Sequence, residues 1–193
     1  MLRAINESLK FLFISIFALS VFGCAISDAN IKGIHSFDKP ASGNGLVYFS
    51  TSFKSDSWLG IGPSVILKFT KKGPNNLGVK KLEIMSVSDK KLHVLELPEG
   101  SYTFRGFLIE QEKWEIWCDS CFDLPFEVKD GAVSYAGHIA LALSKSRTKV
   151  KIKHIDKAVS DRQWLKDEMH DFDLSLIQKN YIHEQSRVID IRR

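Results

Sequence analysis

One run of residues decides the fold class of this chain: Leu46-Val47-Tyr48-Phe49-Ser50-Thr51-Ser52-Phe53. Its aromatic and β-branched residues follow a period of two, which is the spacing of side chains along an extended strand. That period places Val47, Phe49, Thr51 and Phe53 on one face. The run therefore predicts a β-strand with one largely apolar face.

Short runs of the same kind follow along the chain and are bounded by Gly, Pro, Asn and Asp. They predict further strands over residues 65–70, 81–87, 92–97, 102–110, 113–117, 126–129, 133–143 and 147–155. Segments 72–76, 98–100 and 129–131 carry the residues that favour tight turns between antiparallel neighbours. Many strands at short spacing are typical of a sandwich or a barrel, and we interpret the fold as mainly β, an antiparallel β-sandwich.

The hydrophobic period changes after residue 155. Ser160 is a suitable N-cap, and a helix is predicted over residues 161–172, because apolar residues recur there at helical spacing: Trp164, Leu165, Met169 and Phe172. A second helical stretch is predicted over residues 173–179, with Leu174 and Ile177 packed against the sheet. The domain thus covers residues 45–183 with short C-terminal helices. Residues 184–193 form a tail, although 188–191 could add a strand.

The N-terminus has the pattern of an export signal. Arg3 and Lys10 precede twelve mostly apolar residues, 11–22, which end at Gly23-Cys24. A helix needs about 20 apolar residues to cross a bilayer, so this run is too short to serve as a membrane anchor. We predict that residues 1–23 are a cleaved signal peptide.

The segment Val21-Phe22-Gly23-Cys24 resembles the lipobox of bacterial lipoproteins. The resemblance implies cleavage before Cys24, lipid on that cysteine and attachment to a membrane, with residues 24–44 as a flexible lipidated tether. Ala25 stands where inner-membrane lipoproteins of this kind carry aspartate, which implies the outer membrane, with the domain facing the periplasm. The alternative is an ordinary cleaved signal that is followed by a cysteine by chance.

Removing 23 of the 193 residues leaves 170, which is one domain's worth of chain. The remaining 25 basic and 22 acidic residues give a net charge of +3, which neither indicates nor excludes an anionic partner. Basic residues alternate along one predicted strand, at Arg147, Lys149, Lys151 and Lys153. This face is either a solvated sheet edge or a surface that attracts anionic headgroups. No nucleic-acid partner is predicted.

Cys118-Asp119-Ser120-Cys121 is the most specific local feature after the signal. Paired cysteines of an exported protein usually form a disulfide, and we predict one between Cys118 and Cys121. A redox-active pair is an alternative, but its first cysteine normally lies at a helix N-terminus, whereas residues 113–117 read as a strand. Zinc would need two further ligands that no second cysteine pair or histidine pair supplies.

Other polar residues do not form a recognisable catalytic pattern. The six histidines are scattered, at His35, His93, His138, His154, His170 and His183, and we interpret them as solvent-facing or hydrogen-bonded polar residues. No G-x-S-x-G or H-E-x-x-H motif occurs. Trp58, Trp114 and Trp117 lie near turns, and core positions are favoured for them over an exposed recognition patch. No metal, cofactor or catalytic residue is predicted.

A wider resemblance covers the span from about residue 46 to residue 155. The runs are Leu97-Pro98-Glu99-Gly100-Ser101-Tyr102-Thr103-Phe104 and Phe126-Glu127-Val128-Lys129-Asp130-Gly131-Ala132-Val133-Ser134-Tyr135-Ala136-Gly137. Together they resemble a pattern of uncharacterised bacterial lipoproteins with a small β-sandwich. The resemblance implies a fold and carries over no catalytic residue.

These observations favour a lipoprotein of the cell envelope that is not an enzyme and that binds a protein or a surface component. Two alternatives from other classes remain. One is a thiol-disulfide enzyme that uses Cys118 and Cys121. The other is a hydrolase whose site is assembled from residues distant in sequence, since such sites are defined by geometry rather than spacing.

Overall fold

The computed structural model describes residues 40–55, 63–73, 80–84, 90–111, 113–169, 174–178 and 182–191. Within these ranges the chain forms eleven strands, one α-helix and one 3-10 turn. The strands are β1 (Asn44–Ser55), β2 (Ser64–Lys71), β3 (Lys80–Ile84), β4 (Lys91–Pro98), β5 (Gly100–Gln111), β6 (Trp114–Cys118), β7 (Leu124–Val128), β8 (Val133–Leu143), β9 (Lys149–Ile155), β10 (Ile177–Gln178) and β11 (Gln185–Asp190). The helix, α1, spans Ala158–Glu168.

The strands form two sheets, which confirms the predicted mainly β sandwich. The six-stranded sheet has the order β11-β9-β8-β1-β4, with β10 paired to β8. The five-stranded sheet has the order β3-β2-β5-β6, with β7 paired to β5. The main hydrophobic core contains residues of both sheets, and Val47, Phe49 and Phe53 of β1 belong to it, with Thr51 also buried. The predicted inward face of β1 is therefore confirmed.

The long pairing of β1 with β8 is parallel, as is the short pairing of β10 with β8, unlike the antiparallel neighbours that were predicted. β1 pairs with β8 over nine residue pairs, from Leu46 opposite Val133 to Ser55 opposite Leu143. Parallel neighbours cannot be joined by a hairpin and need a crossover connection. Here the intervening chain crosses to the five-stranded sheet and returns twice, first at β4 and then at β8. Both faces of β1 and β8 are largely buried, because one face contributes to the main core and the other to a second cluster that includes Leu165 of α1.

A bulge in β8 sets the direction of its polar side chains. Tyr48 pairs with Tyr135, and Ser50 pairs with His138, so β8 has one extra residue at this point. Gly137 lies in the bulge with φ +88°, a conformation that favours glycine. The shift places Tyr135 and His138 on the same outer face, whereas strict alternation would direct them to opposite faces.

Helix α1 covers part of the outer face of the six-stranded sheet. Leu165 is fully buried in a second core cluster with residues of β1, β4 and β8, and Met169 packs against it. The predicted N-cap at Ser160 is wrong: the helix begins at Ala158, and Lys157 occupies the cap position. Two oxygens from outside the helix accept hydrogen bonds from the N–H groups at its start. Asp156 Oδ1 accepts from Ala158 N–H, and Tyr135 Oη accepts from Lys157 N–H. The described part of the chain contains no helix that is long and apolar enough to span a membrane.

The described residues after α1 differ from the predicted second helix. Leu174–Leu176 form a 3-10 turn, and Ile177–Gln178 form strand β10 beside β8. Ile177 packs against the second core cluster, as predicted, but from a strand. The tail contributes β11, which pairs with β9 from Gln185 to Asp190, so this segment belongs to the sheet. Only a weak alternating pattern marks it, because an edge strand needs few apolar residues.

Candidate functional site

The two cysteines lie in an interruption of one edge of the five-stranded sheet. β6 and β7 both pair antiparallel with β5, one with each half of that strand. Cys118 lies opposite Phe107, and Leu124 lies opposite Phe104. Five residues therefore separate the two paired positions on the edge, whereas only two residues separate them on β5. We call these five residues, 119–123, the disulfide loop. This loop interrupts the edge of the sheet, in which β6 and β7 would otherwise form one continuous strand beside β5.

A bond between Cys118 and Cys121 closes this loop, with sulfur atoms 2.11 Å apart. The carbonyl of Arg105 accepts hydrogen bonds from the backbone N–H groups of Cys121 and Phe122, at 3.1 and 3.4 Å. Gly106 leaves room for the loop, because a Cβ there would lie 2.2 Å from the Cys118 carbonyl oxygen. Cys118 is the last residue of β6, one residue beyond the predicted strand 113–117, and not the first residue of a helix. A redox-active pair normally has its first cysteine at a helix N-terminus, and Cys118 does not lie at one.

The tryptophans near this edge are not both core residues. Trp114 packs against the main core, as predicted, but Trp117 is 62% exposed and the core prediction for it is wrong. The alternation of β6 explains the difference, because Trp114 and Ile116 face inward while Glu115 and Trp117 face outward. An isolated apolar run cannot indicate which of its faces is covered.

Trp117 lies among other apolar side chains on the outer face of the five-stranded sheet. It pairs with Leu108, which in turn pairs with Ile66, so the three side chains form a row across β6, β5 and β2. Leu108 and Ile66 are half-buried. An ion pair between Lys68 and Asp119, 2.6 Å long, lies two residue pairs farther along the strands, where Lys68 is opposite Gly106.

A cavity of about 750 Å³ continues this surface around the edge of the sandwich. Its lining includes Trp114, Trp117, Lys113, Arg147 and Ile191. The Arg147 guanidinium lies over the Trp114 ring at 4.6 Å from the centroid. Arg147 belongs to the turn before β9 and has φ 58°, so it is not part of the basic face predicted for residues 147–153. We call Trp114, Trp117 and Arg147 the tryptophan surface.

The tryptophan surface and the entry of the chain lie at opposite ends of the sandwich. At the entry end, Asn44 begins β1 beside Pro98, and its carbonyl accepts from Gly131 N–H at 2.9 Å. At the other end, Ser55 pairs with Leu143, next to the turn that carries Arg147. The twelve residues of β1 separate these ends by about 40 Å.

A second polar constellation lies under α1. Ser50 Oγ is 2.6 Å from both His138 Nδ1 and Asp161 Oδ2, and the Tyr135 hydroxyl donates to the same Asp161 oxygen at 2.8 Å. Ser52 Oγ is 3.0 Å from His138 Nε2. Asp161 is 4% exposed, and Ser50 and His138 are 1% exposed. The sequence analysis did not identify this buried network, whose members come from β1, β8 and α1.

The hydrogen-bond directions define what the network does. If Ser50 donates to Asp161, His138 Nδ1–H donates to Ser50, and Nε2 accepts from Ser52, the Ser50 hydroxyl and both ring nitrogens of His138 have partners. In a hydrolytic triad the histidine lies between serine and carboxylate and removes the serine proton. Here the serine lies between the other two, and all three side chains are buried. The network therefore fastens α1 to the sheet.

Burial dominates the ionisation of the groups around this network. It raises the pKa of Tyr48 to about 12, with a smaller contribution from Asp161, and it raises that of Tyr135, which also donates to Asp161. Burial, followed by the charge of Lys157, lowers the pKa of His138 to about 4. Burial, followed by Lys91, lowers the pKa of His93 to about 3.

The described histidines fit the prediction that they are hydrogen-bonded or solvent-facing. His93 Nε2 is 2.8 Å from Thr51 Oγ1, and His154 Nε2 is 2.9 Å from the Ala136 carbonyl oxygen. His183 is exposed. Within the described ranges, no group of three His, Cys, Asp or Glu side chains is arranged to hold a metal ion.

We expect acid to destabilise the fold through the buried histidines. Between about pH 6.5 and the folded-state pKa of His93, the unfolded chain binds a proton that the folded chain does not, so stability falls as pH falls. On going from about pH 7.5 to about pH 5.5, His93→Gln should lose about 1 kcal/mol less unfolding free energy than wild type. Denaturant unfolding at both pH values measures this difference. His183→Gln is the control, and equal losses in wild type and His93→Gln would contradict the expectation.

Several predicted features lie outside the described residues. They are the signal peptide, Cys24 and most of the tether, together with His35, Trp58, His170 and Phe172.

Comparisons with known proteins identify no family for this chain. No family model matches it, and no curated protein matches it. One solved structure is similar over part of its length, a leucine-rich repeat protein from Bacteroides thetaiotaomicron VPI-5482. The match covers 53% of this chain and 14% of that chain, at 14% identity and a TM-score of 0.31. The resemblance to sandwich lipoproteins therefore remains a prediction from sequence.

Proposed function

We propose that this protein is a lipoprotein of the cell envelope, anchored by lipid on Cys24, whose sandwich is a non-catalytic binding module. The observation that carries the binding proposal is the outward position of Trp117, which is 62% exposed. Tryptophan and arginine are both typical of sites that bind other molecules, and Arg147 lines the same cavity as Trp117. The partner in this proposal is an envelope protein or a surface component.

The position of the tryptophan surface supports this proposal. The predicted tether leads into β1 at the end of the sandwich that lies farthest from Trp117. As flexible chain, the segment from Cys24 to Pro40 would span about 20–24 Å on average. An anchored domain would then point its entry end toward the membrane and its tryptophan surface away from it. This orientation leaves Trp117 accessible to a partner.

The anchor is tested by replacing its cysteine. We expect Cys24→Ala to move the protein from the membrane fraction to the soluble fraction, because the lipid chains contribute about 0.8 kcal/mol for each buried methylene. Intact mass of the membrane-extracted wild-type protein should show cleavage before Cys24 and added acyl chains. An unacylated mass, or a Cys24→Ala variant that stays with the membrane, would contradict the anchor.

The binding surface is tested in cells with a photo-reactive amino acid in place of Trp117. We expect one discrete cross-linked adduct from position 117. The matched control is the same amino acid in place of Val188, which is 55% exposed on the other sheet. Adduct formation should also depend on Arg147, whose guanidinium holds the neighbouring Trp114. The same adducts from both positions, or none from position 117, would count against the tryptophan surface as the binding site.

A further inference from the structure

A second cleft lies beside the disulfide loop and is rich in positive charge. It has a volume of about 430 Å³ and is lined by four cationic side chains, Lys71, Lys72, Arg105 and Arg187, against one carboxylate, Asp123. Hydroxyl and amide groups complete its polar lining: Thr70, Thr103, Ser120 and Gln185. These groups are the donors that bind oxyanions.

The disulfide loop positions both arginines. Arg105 Nη2 donates to Ser120 Oγ, and Arg187 Nη1 donates to the carbonyl oxygen of Cys121 at 2.9 Å. Ser120 and Cys121 are adjacent in the loop that the disulfide closes. The loop thus brings a guanidinium of β5 and a guanidinium of β11 to the same place. Each guanidinium has five N–H donors, so each keeps donors for a ligand.

The described carboxylates offset only part of the positive charge of this cleft, because Asp123 is the one carboxylate that lines it, against four cations. The two ion pairs in the described ranges are Lys68–Asp119 and Lys149–Asp190, and neither includes a cation of the cleft. Asp119, the carboxylate nearest in sequence to Ser120, thus forms its ion pair with Lys68 and not with a cation of the cleft. Asp123 accepts a hydrogen bond from Thr103. Lys71 donates to the Glu99 carbonyl oxygen, which is a neutral acceptor.

We propose that this cleft binds a small, multiply charged oxyanion, such as a phosphate group of a soluble compound. Arginine binds such groups through paired N–H donors, and two guanidiniums held by one loop suit two oxygens of one anion or two linked anionic groups. The site is distinct from the tryptophan surface and does not depend on it. Neither sequence spacing nor the cysteine motif indicated it, because Arg105 and Arg187 lie far apart in the chain.

The test is titration of the full-length protein, purified in detergent, with inorganic pyrophosphate by calorimetry. We expect saturable one-site binding that Arg187→Gln weakens at least about 10-fold, a loss typical of a charge-assisted contact. The matched control is Lys151→Gln, which removes the same charge from an exposed position on β9 and should change the affinity less than about 2-fold. Absence of saturable binding, or equal weakening by the two variants, would overturn the proposal.

The role of the loop is tested separately with Cys118→Ser/Cys121→Ser. We expect weaker pyrophosphate binding, because the two arginines lose their fixed hydrogen-bond acceptors, while the circular dichroism of the core stays like that of wild type. Wild-type affinity in this variant would overturn the positioning role. If it does not fold, Arg105→Gln provides the test, and wild-type affinity in that variant would contradict the site. Competition by phosphatidylglycerol vesicles would assign the bound anion to a lipid headgroup, against the soluble compound proposed.

Discussion

Replacing Asp161 with alanine is expected to lower the free energy of unfolding by about 2–5 kcal/mol. Asp161 Oδ2 accepts hydrogen bonds from Ser50 and from Tyr135, and both donors are buried. Alanine would leave the two donors without an acceptor in a site closed to water, and each unsatisfied buried donor costs about 1–3 kcal/mol. Denaturant unfolding, followed by circular dichroism, measures the change.

Asp167→Ala is the matched control for this prediction. Asp167 lies on the same helix, is exposed and accepts a hydrogen bond from Gln163 four residues earlier. Its replacement should cost less than about 0.5 kcal/mol, as for an exposed helical pair. Similar losses in Asp161→Ala and Asp167→Ala would show that the buried network does not hold α1 on the sheet.

Gly137→Ala is expected to cost about 3 kcal/mol through two separate effects. Gly137 has φ +88°, and a side chain in the left-handed region costs about 1–2 kcal/mol. A Cβ would also lie 2.2 Å from Nε2 of His154, so the buried ring would have to move. That movement adds an overpacking cost of about 1–3 kcal/mol. It would also disturb the contact between His154 and the Ala136 carbonyl.

Gly131→Ala separates these two effects. Gly131 has φ +64° and nothing within 4 Å of the Cβ position, so its replacement should cost only the backbone strain. The clash predicts coupling between the sites, so the loss in Gly137→Ala/His154→Ala should be smaller than the sum of the two single losses. Additive losses, or a Gly137→Ala loss equal to that of Gly131→Ala, would contradict the clash.

Local pattern was sufficient to identify strands β1 to β9. Each of the nine strands predicted from alternating runs overlaps an observed strand, because a half-buried strand shows its period of two in the sequence itself. The pattern was less informative where a strand is buried on both faces and therefore lacks the alternation of apolar and polar residues. β8 is buried on both faces and contains a bulge, and only Gly137 inside the run signalled the irregularity. The 3-10 turn at Leu174–Leu176 shows a similar limit, since three residues do not distinguish it from an α-helix.

The candidate sites also combine features that the local sequence predicts with features that it does not. The cysteine pair could be predicted, because three residues of separation and an export signal are local features. The exposure of Trp117 could not, since it depends on what covers the outer face of β6. Likewise, the contact of Arg187 with Cys121 requires β11 to pair with β9 and thereby reach the edge formed by β6 and β7.

The amino-acid sequence by itself determined the fold class, the positions of strands β1 to β9, the inward face of β1 and the pairing of Cys118 with Cys121. These features follow from residues within a few positions of one another, whose spacing is set by backbone geometry. Only the tertiary structure decided that β1 lies parallel to β8, that Ser50, His138 and Asp161 meet under α1, and that two distant arginines share one cleft. These features depend on contacts between segments far apart in the chain, and no local spacing determines which segments become neighbours.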